Sequence, residues 1–176
     1  MSKQELIERA KQKDKEAFAT LFQMHYLFLY RYLLKLTLHH ETTEDIIQET
    51  MMKCFLYINK YNASSSFSSW LITIATRTYF DLLRKKKHER EWINHQMEAG
   101  KHQLSWQLQS INERWSDMME SFSELKPDVR CALLLKHYYD YSYDEIAQMT
   151  GEKCGTIKSR VHYGIAHVRK ELTHDE

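Results

Sequence analysis

Thr156, Lys158, Ser159, Arg160, His162 and Tyr163 stand within one short stretch near the C-terminus, and together they carry hydroxyl, ammonium, guanidinium and imidazole groups. Those groups donate to phosphate oxygens and to the acceptors on base edges, which is the chemistry of reading a nucleic-acid groove. From Lys153 to Lys170 there are five basic residues and no acidic one, so positive charge is concentrated where those side chains lie. The residues before them explain how they would be held. Ser142 and Glu145 form an S-x-x-E capping box that starts a helix with Ile146 and Ala147 on its buried face. Gly151 ends that helix, because a sharp left-handed turn is free of steric cost only for glycine. Ile157 then anchors a second helix against the small Ala147, leaving the hydrogen-bonding residues outward. This order describes a helix-turn-helix whose second helix suits a DNA groove. An ordinary core hairpin with a solvated basic face is the plainer alternative, but it gives no reason for cap, small residue, glycine, anchor and basic helix to follow one another.

Three other clusters carry polar chemistry. Asp45, Gln48 and Glu49, with Glu41 and Glu44, line one face of a helix and read either as a solvated face or as an acidic docking strip. Asn62, Ser64, Ser65 and Ser66 form a loop of short hydrogen-bonding side chains. Arg84, Lys85, Lys86 and Lys87 end an apolar helix in a basic run, which is either plain solvated surface or a phosphate-binding element.

The elements that must position these groups are helices. Phe18, Leu21, Phe22, Tyr26, Leu29 and Leu33 recur at three- and four-residue steps and predict a helix over residues 16–38. Thr42 with Asp45 predicts the cap of a second helix burying Ile46, Ile47, Met51, Cys54, Phe55 and Ile58. Phe67, Trp70, Leu71, Ile74, Ala75, Thr78 and Leu82 mark a third, with Trp70 assigned to the core. Leu104, Leu108, Ile111, Trp115, Met118, Phe122 and Leu125 make a further stripe that stops before Pro127, and another helix is expected over residues 129–138. Between residues 88 and 103 the composition turns to His, Gln, Asn and charge, as a linker does. The expectation is an all-α chain: a domain over 1–88, a flexible linker over 89–110, and a helix-turn-helix domain over 111–176.

Composition narrows the classes. Four glycines and one proline in 176 residues leave little turn material for a sheet protein. Three distant cysteines argue against a disulfide framework or a zinc site and fit a reducing cytoplasm. His88, His95 and His102 repeat every seven residues, about 10 Å along a helix, too far for one metal ion. No apolar run nears the ~20 residues of a membrane span. No carboxylate, histidine or cysteine cluster has ligand spacing, and no glycine-rich phosphate loop is present, so no cofactor and no enzymatic activity are expected.

Taken together, the chain resembles the extracytoplasmic-function branch of the sigma-70 family. The N-terminal part carries Thr43-Glu44-Asp45-Ile46-Ile47-Gln48-Glu49-Thr50 and Phe67-Ser68-Ser69-Trp70-Leu71-Ile72-Thr73-Ile74-Ala75, continued by Asp81-Leu82-Leu83-Arg84-Lys85. The C-terminal part carries Leu125, Pro127, Arg130, Leu133, Leu134 and Leu135, then Ser142 to Ala147 and Gly155 to Arg160. The resemblance implies a cytoplasmic transcription initiation factor. Asp45, Gln48 and Glu49 would bind the clamp helices of the largest subunit of core RNA polymerase, and the C-terminal domain would meet the flap of the second subunit. Asn62, Ser64, Ser65 and Ser66 would capture a flipped base of promoter DNA at the minus-ten element. Arg77, Arg84, Lys85, Lys86 and Lys87 would follow the backbone. Thr156, Lys158, Ser159, Arg160, His162 and Tyr163, with Lys153 and Arg169 on phosphates, would read the minus-thirty-five element. An anti-sigma factor, typically at the membrane, is the implied regulator. Arg77 departs from the family's usual asparagine, Asp140 from a common glycine, and Met149-Thr150 from a more apolar pair. A stand-alone dimeric helix-turn-helix regulator is the alternative, which offers no role for the acidic strip or the serine loop.

Overall fold

The computed structural model describes residues 2–86 and 121–174, with side chains to 170, and every regular element in it is helical. The expected linker over 89–110, Lys87, and the stripe from Leu104 to Met118 lie outside the described residues. Helix α1 spans Lys3–Lys11, α2 Lys15–Thr37, α3 His40–Tyr57 and α4 Phe67–Lys86. After a helical turn at 121–124 come α5 (Pro127–Leu133), a π-helical turn (Leu134–Tyr138), α6 (Tyr143–Thr150) and α7 (Cys154–His174).

The N-terminal module is α1 to α4. Helix α1 was not apparent from the charge-rich start of the chain, yet Ser2 and Glu5 close a capping box there, and Leu6, Ile7 and Ala10 bury against α2. Asp14 caps α2 by accepting from Glu16 N and Ala17 N, each at 3.0 Å. The expected cap of α3 is displaced. His39, not Thr42, is the N-cap: its Nδ1 accepts from Thr42 N at 3.2 Å. The reason lies upstream, where Leu38 turns left-handed (φ 59°) and sets His39 extended, so the helix begins earlier than a Thr42 cap allows. Met51 is also displaced, pointing to solvent while Thr43 and Thr50 take buried positions.

The C-terminal module packs α5 and α6 each against α7, with the π turn between them. Its cap geometry follows the sequence: Glu145 N donates to Ser142 Oγ at 3.2 Å, and Ser142 N donates to Glu145 Oε2 at 2.8 Å. Those bonds hold the Glu145 carboxyl below its usual range. Gly151 sits at φ 75° and returns its N–H to the Ala147 carbonyl at 2.9 Å. Ile157 and Val161 are buried behind the turn. The helix expected over 129–138 is α5 plus the π turn, where Tyr139 N reaches back to Leu134 O at 3.0 Å.

The two modules share one apolar core. Leu29, Tyr32, Leu33, Leu36, Ile72 and Ala75 of the first join Cys131, Ala132, Leu134, Leu135, Ile146 and Met149 of the second. Tyr32 Oη lies 2.6 Å from Thr76 Oγ1 and 3.7 Å from Cys131 Sγ, which satisfies a hydroxyl that has no access to water. Arg130, 1% exposed, crosses the junction: its Nε donates to Leu36 O at 2.9 Å and its Nη1 to Ser123 O and Leu125 O at 3.2 and 3.3 Å. Burial lowers its proton affinity and the neighbouring Tyr79 opposes that.

Candidate nucleic-acid interface

The loop over residues 61–66 is built by a buried aromatic platform. Tyr61 packs against Phe67 and Trp70 with ring centroids 5.5 and 5.4 Å apart, and its hydroxyl donates to Ser65 O at 2.9 Å. Asn62 Oδ1 accepts from Ser64 N at 3.0 Å, closing an Asx turn around Ala63 at φ 59°. Ser66 Oγ accepts from Ser69 N at 3.1 Å and so caps α4. Asn62, Ser64, Ser65 and Ser66 are exposed together on this scaffold. Trp70 is half-buried in the platform, in line with the core role expected for it.

Along α4 the basic residues divide. Lys85 is exposed and Arg84 is ion-paired with Asp81. Arg77 is engaged elsewhere: its Nε donates to Met149 O at 3.0 Å and its Nη2 to Gln148 O at 2.8 Å. In this state its guanidinium holds the last turn of α6 and is not offered to a nucleic-acid backbone.

On α7, Lys158, Ser159, His162 and Tyr163 point outward, with Lys153 exposed just before the helix and Arg169 exposed near its far end. Thr156 and Arg160 are half-buried. Arg160 is braced between Asp128, at 3.0 Å, and Glu152, at 3.2 Å. To meet DNA it would have to exchange two carboxylates for a base or a phosphate. Tyr163 stacks on His167 with centroids 6.4 Å apart, which orients its ring along the same face.

Asp45, Gln48 and Glu49 are exposed on the outer face of α3, where Glu49 pairs with Lys53 at 2.7 Å. The strip runs further than the polar pattern suggested. Met52, 65% exposed, and Leu56, 62% exposed, continue it at helical spacing. Their apolar type kept them out of a strip sought by polarity, although the steps 45, 48, 52 and 56 put them on the outer face.

No helix among the described residues is long and apolar enough to cross a membrane. Two family models match the chain: Sigma-70 region 2 over residues 21–89 and Sigma-70, region 4 over residues 116–168. The chain is 26% identical to the ECF RNA polymerase sigma factor SigW of Bacillus subtilis, over 94% of each chain. It is likewise 26% identical to RNA polymerase sigma factor SigV of the same organism, over 96% of this chain and 98% of that one. Among solved structures, the sigma factor RpoE in complex with the anti-sigma factor NepR from Bartonella quintana aligns with a TM-score of 0.65 at 22% identity, over 88% of this chain and 97% of that one. CnrH in complex with the cytosolic domain of CnrY aligns with the same score at 19% identity over 97% of each chain. At those identities the structures speak for the fold.

Proposed function

Because the chain belongs to the extracytoplasmic-function branch of the sigma-70 family, a family of transcription initiation factors rather than enzymes, we propose that it brings core RNA polymerase to promoters in the cytoplasm. It does so through three surfaces described above. Asp45, Gln48 and Glu49 dock on the polymerase clamp, and residues 111–176 act as the minus-thirty-five module that also meets the flap. The serine loop, with Lys85 and Lys86 beyond it, takes the melted minus-ten strand within a module over 1–88.

The observation that carries this reading is the capped helix-turn-helix with Lys158, Ser159, His162 and Tyr163 on one open face. A helix so presented enters a major groove, and cationic neighbours at Lys153 and Arg169 set its register on phosphates. Neither module needs high affinity of its own, because attachment to one polymerase makes the second contact effectively intramolecular. An anti-sigma partner follows by likeness to the solved sigma factor RpoE, which is in complex with the anti-sigma factor NepR.

Run-off transcription on fragmented genomic DNA with core polymerase tests the reading. Transcripts that share two upstream sequence blocks and vanish in the Asp45→Ala, Gln48→Ala, Glu49→Ala triple variant are expected. Palindrome-specific binding by the protein alone, with no transcripts, would instead favour a dimeric regulator.

A further inference from the structure

Two polar contacts fasten the C-terminal module to the face of α4 that borders the serine loop. Arg77 donates to the carbonyls of Gln148 and Met149 in the last turn of α6. Carbonyls there have no partner within their own helix and carry the negative end of its dipole, so a guanidinium from another element caps them in trans. Two turns earlier on α4, Ser69 Oγ lies 2.9 Å from the hydroxyl of Tyr141, which immediately precedes the α6 cap. Arg77 directly follows Thr76, whose hydroxyl lies 2.6 Å from Tyr32 Oη, the buried partner of Cys131 across the junction. Arg77 is itself exposed, so its bonds are not forced by packing of its side chain.

From this arrangement we infer that Arg77 and Tyr141 form a latch that closes the two modules on each other, and that this closed form is the chain's own restraint on initiation. The latch occupies Arg77 and Ser69, which flank the surface that the initiation-factor reading gives to the melted strand. Promoter strand and C-terminal module therefore compete for one face of α4. The reading face of α7 stays outward, so the restraint acts at the minus-ten side and on the distance between modules. The consequence for transcription rests on the proposed function; the latch itself does not.

The cysteines supply a native probe. Cys131 is 1% exposed and faces Tyr32 across the junction, whereas Cys54 is 0% exposed inside the N-terminal module. Burial pushes the Cys131 thiol up to about 12, so it reacts only on opening. The full chain and the R77N and Y141F variants are treated with N-ethylmaleimide and each cysteine is followed by peptide mass spectrometry. Loss of a charge-assisted contact is expected to raise Cys131 labelling roughly tenfold in R77N, with a smaller rise in Y141F and Cys54 unchanged in both. Core polymerase added to the native chain is expected to speed Cys131 labelling as well. An unchanged Cys131 rate in both variants, or a rise that Cys54 shares equally, overturns the latch. In run-off assays at limiting polymerase, Y141F is expected to exceed the native chain. A native chain that yields no transcript defeats the initiation-factor reading and leaves the labelling result to decide the latch.

Discussion

Asp140 shows how one residue departs from what its position asks for. It holds a left-handed backbone at φ 57°, between the π turn and the capped α6, where a side chain is tolerated at some cost and glycine at none. Asp140→Gly is expected to stabilise the chain by about 0.5–1 kcal/mol, raising the melting temperature by roughly 1–4 °C in a thermal scan. Lys35 is a second such residue. It is 6% exposed, lies over the Tyr138 ring at 4.5 Å, and burial together with nearby Arg31 pushes its ammonium down to about 8. A lysine depressed from 10.5 binds its proton more tightly when unfolded, so the unfolded chain holds more protons between those values. Its share of stability is complete above about 10.5 and lost as the pH falls through about 8. Denaturant midpoints measured from pH 7.5 to 9.5 should therefore climb in the native chain, and Lys35→Met should remove that slope.

At the scale of elements, the caps and turns were legible because they are local. Ser142, Glu145 and Gly151 act on backbone groups within a few residues, and each does what its type dictates. The start of α3 was less legible, since it depends on Leu38 adopting a conformation that leucine seldom takes. The close approach of α5 to α7 at Gly164 was hidden. Gly164 lies in the middle of α7, where glycine weakens a helix, and only the packing explains it: a Cβ there would overlap Leu133 Cδ1 and press within 3.0 Å of Val129 Cγ1. Gly164→Ala should thus destabilise the chain by about 1–3 kcal/mol despite the better helix propensity of alanine, as a shift of the urea midpoint would register. Conversion of Ser142 to alanine should cost about 1 kcal/mol by the same measurement, through the lost cap of α6.

For the whole molecule, the decisive feature is that the two modules on either side of the expected linker share a core. A compact chain of this length has a radius of gyration of about 16 Å, and two modules tethered by an extended linker would be well above it. Small-angle scattering of the free protein is expected near the compact value. Binding to polymerase should then expand the chain, because the contacts proposed at two promoter elements require the modules apart. The buried Arg130 makes the closed form specific rather than merely adhesive: separating the modules strips the Leu36 carbonyl of its guanidinium partner.

The helical class, the capped helix-turn-helix, the basic face of α7 and the acidic strip were all determined by the sequence, since periodicity, capping and charge act over a few residues and leave their mark in order. Whether a polar side chain is available to a partner was not. Arg77 read as a cation for the strand backbone and Arg160 as a reader of the groove, yet the fold gives the first to the carbonyl end of α6 and the second to Asp128 and Glu152. Arg77 and Met149 lie 72 positions apart in the sequence, and Arg160 and Asp128 lie 32 apart. A charge is a property of the residue, but its partner is a property of the packing, and only the tertiary structure could decide it.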